Sequence, residues 1–210
     1  MSYRALLVTL VLALGASCAR HPAKPAVERI AVLRFENLGP DPSNDWMGRA
    51  FSEIVGAELE GAPGIYAISS GRLHGFDGTL GRRPLASPGI SSERALALAA
   101  GANRIGYGGY LVRGNRLEVR LTLEDPRSLE VVREIDITAP ADDVIGAASS
   151  LAEHISSRIS KYSTHNAQAM KAYVTVLESP DPTTSEQTLR QAILADPNFS
   201  PAYRDRKSVV

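Results

Sequence analysis

The chain has 210 residues, of which 44% are hydrophobic and 22% are charged, and its 23 basic residues balance its 23 acidic residues. This composition is ordinary for a globular protein and excludes wholesale disorder, because the apolar residues suffice to offset the entropy of ordering a core. The zero net charge removes the usual electrostatic drive for nucleic-acid binding, so we expect no nucleic-acid partner.

The first 17 residues have the order of a secretory signal peptide. Arg4 supplies a positive start, residues 5–14 form an almost wholly apolar run, and the small residues 15–17 follow. An apolar run of about ten residues is too short for a permanent membrane-spanning helix, which needs about 20. The sequence therefore predicts export and removal of the leader.

Cys18, the only cysteine, follows a short stretch that resembles the lipobox of bacterial lipoproteins, in which small residues precede the cysteine that becomes the lipidated N-terminus. Leu14-Gly15-Ala16-Ser17-Cys18 departs from that pattern at Gly15, where leucine is usual. The alternative is ordinary signal peptidase cleavage near Ala16, which would leave Cys18 as a free thiol, a liability in an oxidising compartment. We expect lipidation of Cys18.

The lipobox resemblance also implies where the protein is held. One acyl chain anchors only marginally whereas two or more hold firmly, so a lipidated Cys18 would be membrane-bound. Ala19 after the cysteine implies sorting to the outer membrane, with the folded part facing the periplasm. Residues 18–27 are polar and punctuated by proline, which is typical of a tether.

Residues 28–161 show strand alternation and helical periodicity in the order of one α/β domain. The predicted strands are 27–35, 65–68, 105–112, 116–124 and 129–138, and the predicted helices are 46–59, 92–100 and 141–161. The last three strands are expected to form an antiparallel meander, with the final helix lying on the sheet. The sequence thus predicts an α+β or α/β fold with a mixed sheet that is packed by helices.

Local signals refine two of these helices. Asn44 or Asp45 can cap the first helix, and Ser91 or Ser92 can cap the second. The expected buried face of the second helix consists of Ala95, Leu96, Leu98 and Ala99. Residues 69–89 are rich in glycine and proline and predict an exposed loop.

Three strings carry a resemblance to a known family: IAVLRFENLGPDPSNDW, LAAGANRIGYGGYLVRGNRLEVRLTL and ADDVIGAASSLAEHI. With the order of elements, they resemble the TolB amino-terminal-like or FlgO-type domain over residues 28–160. The departures are Arg34 where proline is common, an insertion around 73–88, and the glycine-rich residues 106–109. Because these motifs are structural, the resemblance implies a fold and an envelope compartment but no reaction.

Residues 166–204 resemble part of a tetratricopeptide (TPR) repeat. Ala192 is followed five residues later by Pro197, Leu189 and Ile193 share its face, and Tyr203 falls where the next repeat places its aromatic. The first helix of the repeat, 167–178, is a poorer match. One such unit does not bury its own core, so we expect further repeats in the native protein.

The last six residues, 205–210 (DRKSVV), break the repeat pattern and can be encoded by a common sequencing-adapter read. We expect this tail to be non-native. A stop codon after Val210 in genomic DNA would exclude that hypothesis.

We identify no catalytic, cofactor-binding or metal-ligating residue and predict that the protein is not an enzyme. Gly106, Gly108 and Gly109 superficially suggest a phosphate cradle, but the strand that contains them continues into a hairpin rather than a helix. Asp41, Asp45 and Glu53 could converge at the end of the first strand, although helix caps and solvated helix faces are the favoured explanation of these three residues. The four histidines, His21, His74, His154 and His165, lack metal-ligand spacing.

These observations predict a non-enzymatic, lipid-anchored envelope protein whose repeats bind an unknown envelope protein or peptide. The alternative is a small-ligand or nucleotide sensor that uses residues 106–109 and the loop at 69–89.

Overall fold

The computed structural model describes residues 27–74, 92–178 and 181–209. The leader, Cys18, most of the tether, Ser91 and most of the predicted loop lie outside the described residues. The strands are β1 Glu28–Val32, β2 Glu36–Asn37, β3 Ile65–Ile68, β4 Arg104–Arg113, β5 Arg116–Asp125 and β6 Glu130–Pro140. The helices are α1 Trp46–Glu58, α2 Ser70–His74, α3 Ser92–Ala99, α4 Val144–Ile155, α5 Ala167–Glu178, α6 Pro182–Ala195 and α7 Ser200–Val209. None of these helices is both long and apolar enough to span a membrane.

The six strands form one mixed sheet in the order β3-β1-β4-β5-β6, with β2 pairing with β4 beyond the end of β1. β3, β1 and β4 are parallel, whereas β4, β5 and β6 form an antiparallel meander. Gly114 turns the first hairpin with φ of 58°, a conformation that glycine adopts without steric cost. The predicted mixed sheet and meander are confirmed.

The predicted first strand is interrupted where α1 crosses it. The Phe35 backbone N–H donates to the Gly48 carbonyl at 3.1 Å, and a Cβ on Gly48 would lie 2.2 Å from the Phe35 oxygen. The Leu33 N–H still donates to the Gly106 carbonyl at 2.8 Å. Since the helix approaches the backbone so closely at Phe35, the chain leaves the sheet after Leu33 and returns as β2. Alternation alone does not reveal such a break.

Helices cover both faces of the parallel part of the sheet. A small cluster that includes Ala31, Leu33 and Ile105 packs under α2 and α3. The main core, on the other face, joins Ile30 and Val32 to α1 and α4, and it continues without a break into the C-terminal helices. The residues of this continuation are Ala169, Met170, Tyr173, Val174, Val176, Leu189, Ala192, Phe199 and Ala202. The helical segment therefore shares the core of the sheet.

The predicted buried face of α3 is correct only at Leu96, which is half-buried against the small cluster. Ala97 is buried, but Leu98 is 46% exposed and Ala95 and Ala99 are exposed. Glu93 and Arg94 are buried instead, because each forms an ion pair with a residue on another element. Charge pairing, which hydrophobic periodicity does not detect, rotates the helix away from the predicted orientation.

The final helix of the domain is shorter than predicted, since α4 ends at Ile155 and Ser156 is extended. The chain after it turns back to the end of α1, where Glu58 accepts two hydrogen bonds: its carbonyl from the Ser160 N–H and its carboxylate from the Tyr162 N–H, both at 2.9 Å. These bonds replace the last predicted turns of helix and bring Tyr162 against α1.

The capping prediction for α1 is only half right. Asp45 occupies the N-cap position, but its carboxylate makes no capping hydrogen bond. It accepts instead from the Asn37 side chain at 2.7 Å, which ties the start of α1 to β2.

Candidate binding cleft

A network of ion pairs, buried at Arg49 and Glu93 and half-buried at Glu178, lies beyond the carboxyl ends of β1 and β3. Arg49 on α1 pairs with Glu93 on α3 at 2.6 Å, and its Nε lies 3.6 Å from the Glu178 carboxylate at the end of α5. The Arg34 guanidinium also pairs with Glu178 and donates to the Asp45 carbonyl at 2.8 Å. The network therefore ties together α1, α3, α5 and the chain after β1.

The ion pairs satisfy the charges of this network from within the protein. The second Glu93 oxygen accepts from the Arg34 backbone N–H at 2.7 Å. Hydrogen bonding to Glu178 and the charge of that carboxylate raise the pKa of Arg34 despite the opposing effect of burial, which is the largest single influence. Because these charged groups pair with one another, they stabilise the fold and are not available to bind a ligand.

Next to this network, a polar cleft of about 430 Å3 opens between α1, the start of α2, residues 161–163, α5 and α7. We call it the α1–α7 cleft. The charged and polar groups that line it are Glu53, Glu60, Ser69, Lys161, Tyr162, Ser163, Tyr173, Arg204 and Asp205. Its size is within the range of small-molecule sites.

Two tyrosines form the buried wall of the cleft, and Phe199 holds their rings. The Phe199 centroid lies 5.1 Å from that of Tyr173 and 5.9 Å from that of Tyr162. Burial raises the pKa of both tyrosine hydroxyls, and the nearby charge of Glu53 raises it further. Both phenols are therefore neutral hydrogen-bonding groups at physiological pH.

The two hydroxyls differ in their partners. The Tyr173 hydroxyl donates to Asp205 at 2.8 Å. The Tyr162 hydroxyl is buried and contacts no hydrogen-bonding group in the part of the chain that the structure describes. A buried polar group without a partner is costly, and this oxygen is shielded from solvent.

Glu53 lies half-buried on α1 at the inner side of the cleft. Burial raises the pKa of its carboxyl, an effect only partly opposed by a hydrogen bond with Ser70 and by the charge of Arg49. The charge of Arg204 also opposes the effect of burial, but the pKa of Glu53 stays above its ordinary value.

The three acidic residues that the sequence offered as a convergent group are not brought together by the structure. Asp41 caps a single 3-10 turn, where it accepts from the Ser43 N–H at 2.9 Å, and Asp45 is bound by Asn37. Only Glu53 belongs to the cleft.

The glycine-rich stretch lies in β4, which runs inside the sheet between β1 and β5. A Cβ on Gly108 would lie 1.9 Å from the Arg120 carbonyl oxygen and 2.9 Å from the Phe35 ring, and one on Gly109 would lie 2.9 Å from Leu38. These glycines permit close packing, and the alternative of a nucleotide site at 106–109 stays a prediction. From the other predicted ligand-binding segment, 69–89, Ser69 and Gly71 do line the α1–α7 cleft.

The histidines that the structure describes are not gathered at the cleft. His154 lies on α4, where its Nδ1 is 2.7 Å from the Ser150 carbonyl, and His165 is exposed. Within residues 27–74, 92–178 and 181–209, no group of three or more histidine, cysteine or acidic side chains is placed to hold a metal ion.

No protein-family model and no curated protein matches the chain. Among solved structures, lipoprotein GNA1162 from Neisseria meningitidis has 16% identity and a TM-score of 0.44, covering 61% of this chain and 94% of that one. TolB from Acinetobacter baumannii has 18% identity and a TM-score of 0.41, covering 61% of this chain and 27% of that one. The C-terminal domain of LpoB from Salmonella enterica has 15% identity and a TM-score of 0.38, covering 56% of this chain and 86% of that one. These structural similarities cover only part of the chain and are too weak to assign a function to it.

Proposed function

We propose that the protein is a non-enzymatic lipoprotein of the bacterial envelope, anchored through Cys18 in the outer membrane and facing the periplasm. In this proposal the α/β domain supports a TPR-like helical region that binds another envelope protein or a peptide. The leader, the lone cysteine and the proline-punctuated tether support the anchoring.

The observation that carries the binding proposal is the unequal burial of α6 and α7. Leu189 and Ala192 are completely buried, as the repeat pattern requires. Leu194 on α6 is 82% exposed, and Tyr203 on α7 is 40% exposed. Single exposed apolar residues are common on protein surfaces. Here two occur on consecutive packed helices, and helical repeats of this class bind partners through their exposed faces. The two residues therefore support a protein-binding surface.

Helices α5, α6 and α7 are packed firmly against the α/β domain. Phe199, at the turn between α6 and α7, is completely buried against Tyr173 and Tyr162. Through Glu178, α5 is also tied to Arg34 and Arg49 of the domain. A helical surface held in this way is preorganised, which lowers the entropy lost on binding.

Site-specific photo-crosslinking tests the binding proposal. A photoreactive amino acid at Leu194 is expected to give a discrete adduct with one envelope protein in intact cells. The matched position is Arg120, which is exposed on the wet face of the meander and should give no such adduct. Identical adducts from both positions, or none from Leu194 and Tyr203, would contradict the proposal.

A further inference from the structure

The hairpin turn between β5 and β6 exposes three apolar side chains. Leu129 is 68% exposed, and Val131 and Val132 are 53% and 50% exposed. All of the first five residues of β6 are exposed, so neither face of the hairpin is covered by a helix at this end. We call residues 125–132 the β5–β6 tip. Its apolar side chains form a surface that the fold leaves in contact with solvent.

Leu129 occupies a backbone conformation that disfavours leucine. Its φ is 61°, and among the residues that the structure describes it is the only one other than glycine with a positive φ. Its N–H donates to the Asp125 carbonyl at 2.8 Å, which closes the turn. Glycine or asparagine would close the same turn at lower cost, because a leucine Cβ crowds the following carbonyl in this conformation. The needs of folding therefore do not explain the leucine.

The β5–β6 tip lies beside the point where the tether enters the domain. The Arg104 guanidinium connects the two, since its Nε is 3.2 Å from the Glu28 carboxylate and its Nη1 is 2.9 Å from the Asp125 carboxylate. Val27, the last residue of the tether, accepts a hydrogen bond from the Asn103 side chain at 3.1 Å through its carbonyl. A single guanidinium thus separates the start of β1 from the first residue of the tip.

The length of the tether limits how far this end of the sheet can lie from the anchor. Residues 18–27 comprise ten residues, which span at most about 36 Å when fully extended. At the same end of the sheet, Val27 is exposed, as is Leu98 in the last turn of α3. Exposed apolar residues therefore occur on three elements at the end from which the chain is held.

We propose that the β5–β6 tip contacts the bilayer that carries the anchor, with Leu129, Val131 and Val132 inserted between the lipid headgroups and the upper acyl chains. This contact rests on the proposed anchoring through Cys18. Apolar side chains that leave water at the surface favour it, and the tether keeps the tip at a high effective concentration near the membrane. Two attachments orient the sheet relative to the membrane, which a flexible tether alone does not do.

Fluorescence of the lipidated full chain tests the tip in vesicles of phosphatidylethanolamine and phosphatidylglycerol. The solvent-sensitive dye NBD is attached to Leu129→Cys, and lipidation of Cys18 blocks labelling there. We expect the dye to lose about half of its fluorescence or more when the vesicles include nitroxide lipid, because interfacial apolar groups lie about 5–10 Å within the boundary between headgroups and acyl chains. The matched control is Leu38→Cys, at an exposed leucine beyond the opposite end of β1, and its fluorescence should be unchanged.

Flotation of the same vesicles separates the tip from the anchor. A labelled chain that does not float with them would contradict the anchoring and, with it, the contact of the tip. A chain that floats without quenching at residue 129 would contradict the tip alone, as would equal quenching at residues 129 and 38. A photoreactive residue at position 129 that crosslinks to a second copy or to another protein, and not to lipid, would also overturn the proposal.

A set of variants separates insertion from folding. With the dye on Arg127→Cys, in the same turn, the combination of Leu129→Asn, Val131→Thr and Val132→Thr should reduce quenching at least about twofold, because it removes apolar surface and keeps residues suited to the turn and the strand. Leu38→Asn in the same background should leave quenching unchanged. Leu129→Asn alone should melt at the same temperature as the parent or higher, since asparagine tolerates a positive φ. Quenching that the triple variant does not reduce would contradict insertion.

Discussion

Arg49 and Glu93 form an ion pair of 2.6 Å whose side chains are only 3% and 9% exposed, although their helices lie on opposite faces of the sheet. The pair passes beyond the end of β1, where Glu93 also accepts the Arg34 backbone N–H. Glu178 extends the network to α5. A single cluster of charged residues thus connects the end of the sheet to the C-terminal helices.

Removal of one partner from this pair should be strongly destabilising. Glu93→Gln leaves Arg49 buried with less compensation, and we expect a loss of about 3–5 kcal/mol in the free energy of unfolding. Urea unfolding measures this change. The control is Arg120→Gln, since Arg120 and Asp136 form a pair with both side chains more than half exposed and should contribute less than about 1 kcal/mol. Similar losses in the two variants would contradict the assigned role.

Two glycine substitutions should have opposite effects. Gly108→Ala places a Cβ against the Arg120 carbonyl and the Phe35 ring, and we expect a loss of about 1–3 kcal/mol or more. Gly56→Ala, in α1, meets no atom within 4 Å and should stabilise the protein by about 0.5–1 kcal/mol through helix propensity. Denaturant midpoints test both, and a neutral Gly108→Ala would show that β4 has room at this position.

The shared core predicts that sheet and C-terminal helices unfold together. Phe199→Ala should cost about 3–5 kcal/mol, because it removes a completely buried ring between Tyr162 and Tyr173. Trp46, the only tryptophan, reports on α1, while far-UV circular dichroism reports on all helices. The two signals should give one transition that shifts together in the variant. A Trp46 transition that stays in place would indicate an independent helical unit.

Glu53 should make stability depend on pH with a defined sign. Burial raises its pKa above the ordinary value of 4.5, so the folded state holds its proton more tightly than the unfolded state. Its contribution is therefore present below pH 4.5 and is lost as the pH rises through the raised value. Glu53→Gln should match the parent at pH 4 and gain in relative melting temperature towards neutral pH. A difference that is independent of pH, or that grows towards acid, would contradict this.

Much of the fold could be predicted from local patterns, because those patterns are local in origin. Strict alternation from Arg116 to Leu123 gave β5, and the limits of α5 coincide with the predicted helix 167–178. The orientation of α3 could not be predicted, since it depends on pairing between Glu93 and Arg49, which only the tertiary fold brings together.

The cleft was harder to predict than the fold. Glu53 was a candidate, but it was grouped with Asp41 and Asp45 because they are near in sequence. Its real neighbours include Tyr162 and Tyr173, which come from segments far along the chain and carry no motif. The early end of α4, set by hydrogen bonds to Glu58, is what places Tyr162 there.

The central claim, anchoring through Cys18, is tested most directly by the intact mass of the protein extracted from bacterial membranes after expression with its own leader. We expect a mature chain that begins at Cys18, carries acyl groups and partitions into detergent, whereas Cys18→Ser should be found in the aqueous fraction. A chain that begins elsewhere and carries an unmodified thiol, or equal partitioning of the two proteins, would contradict it.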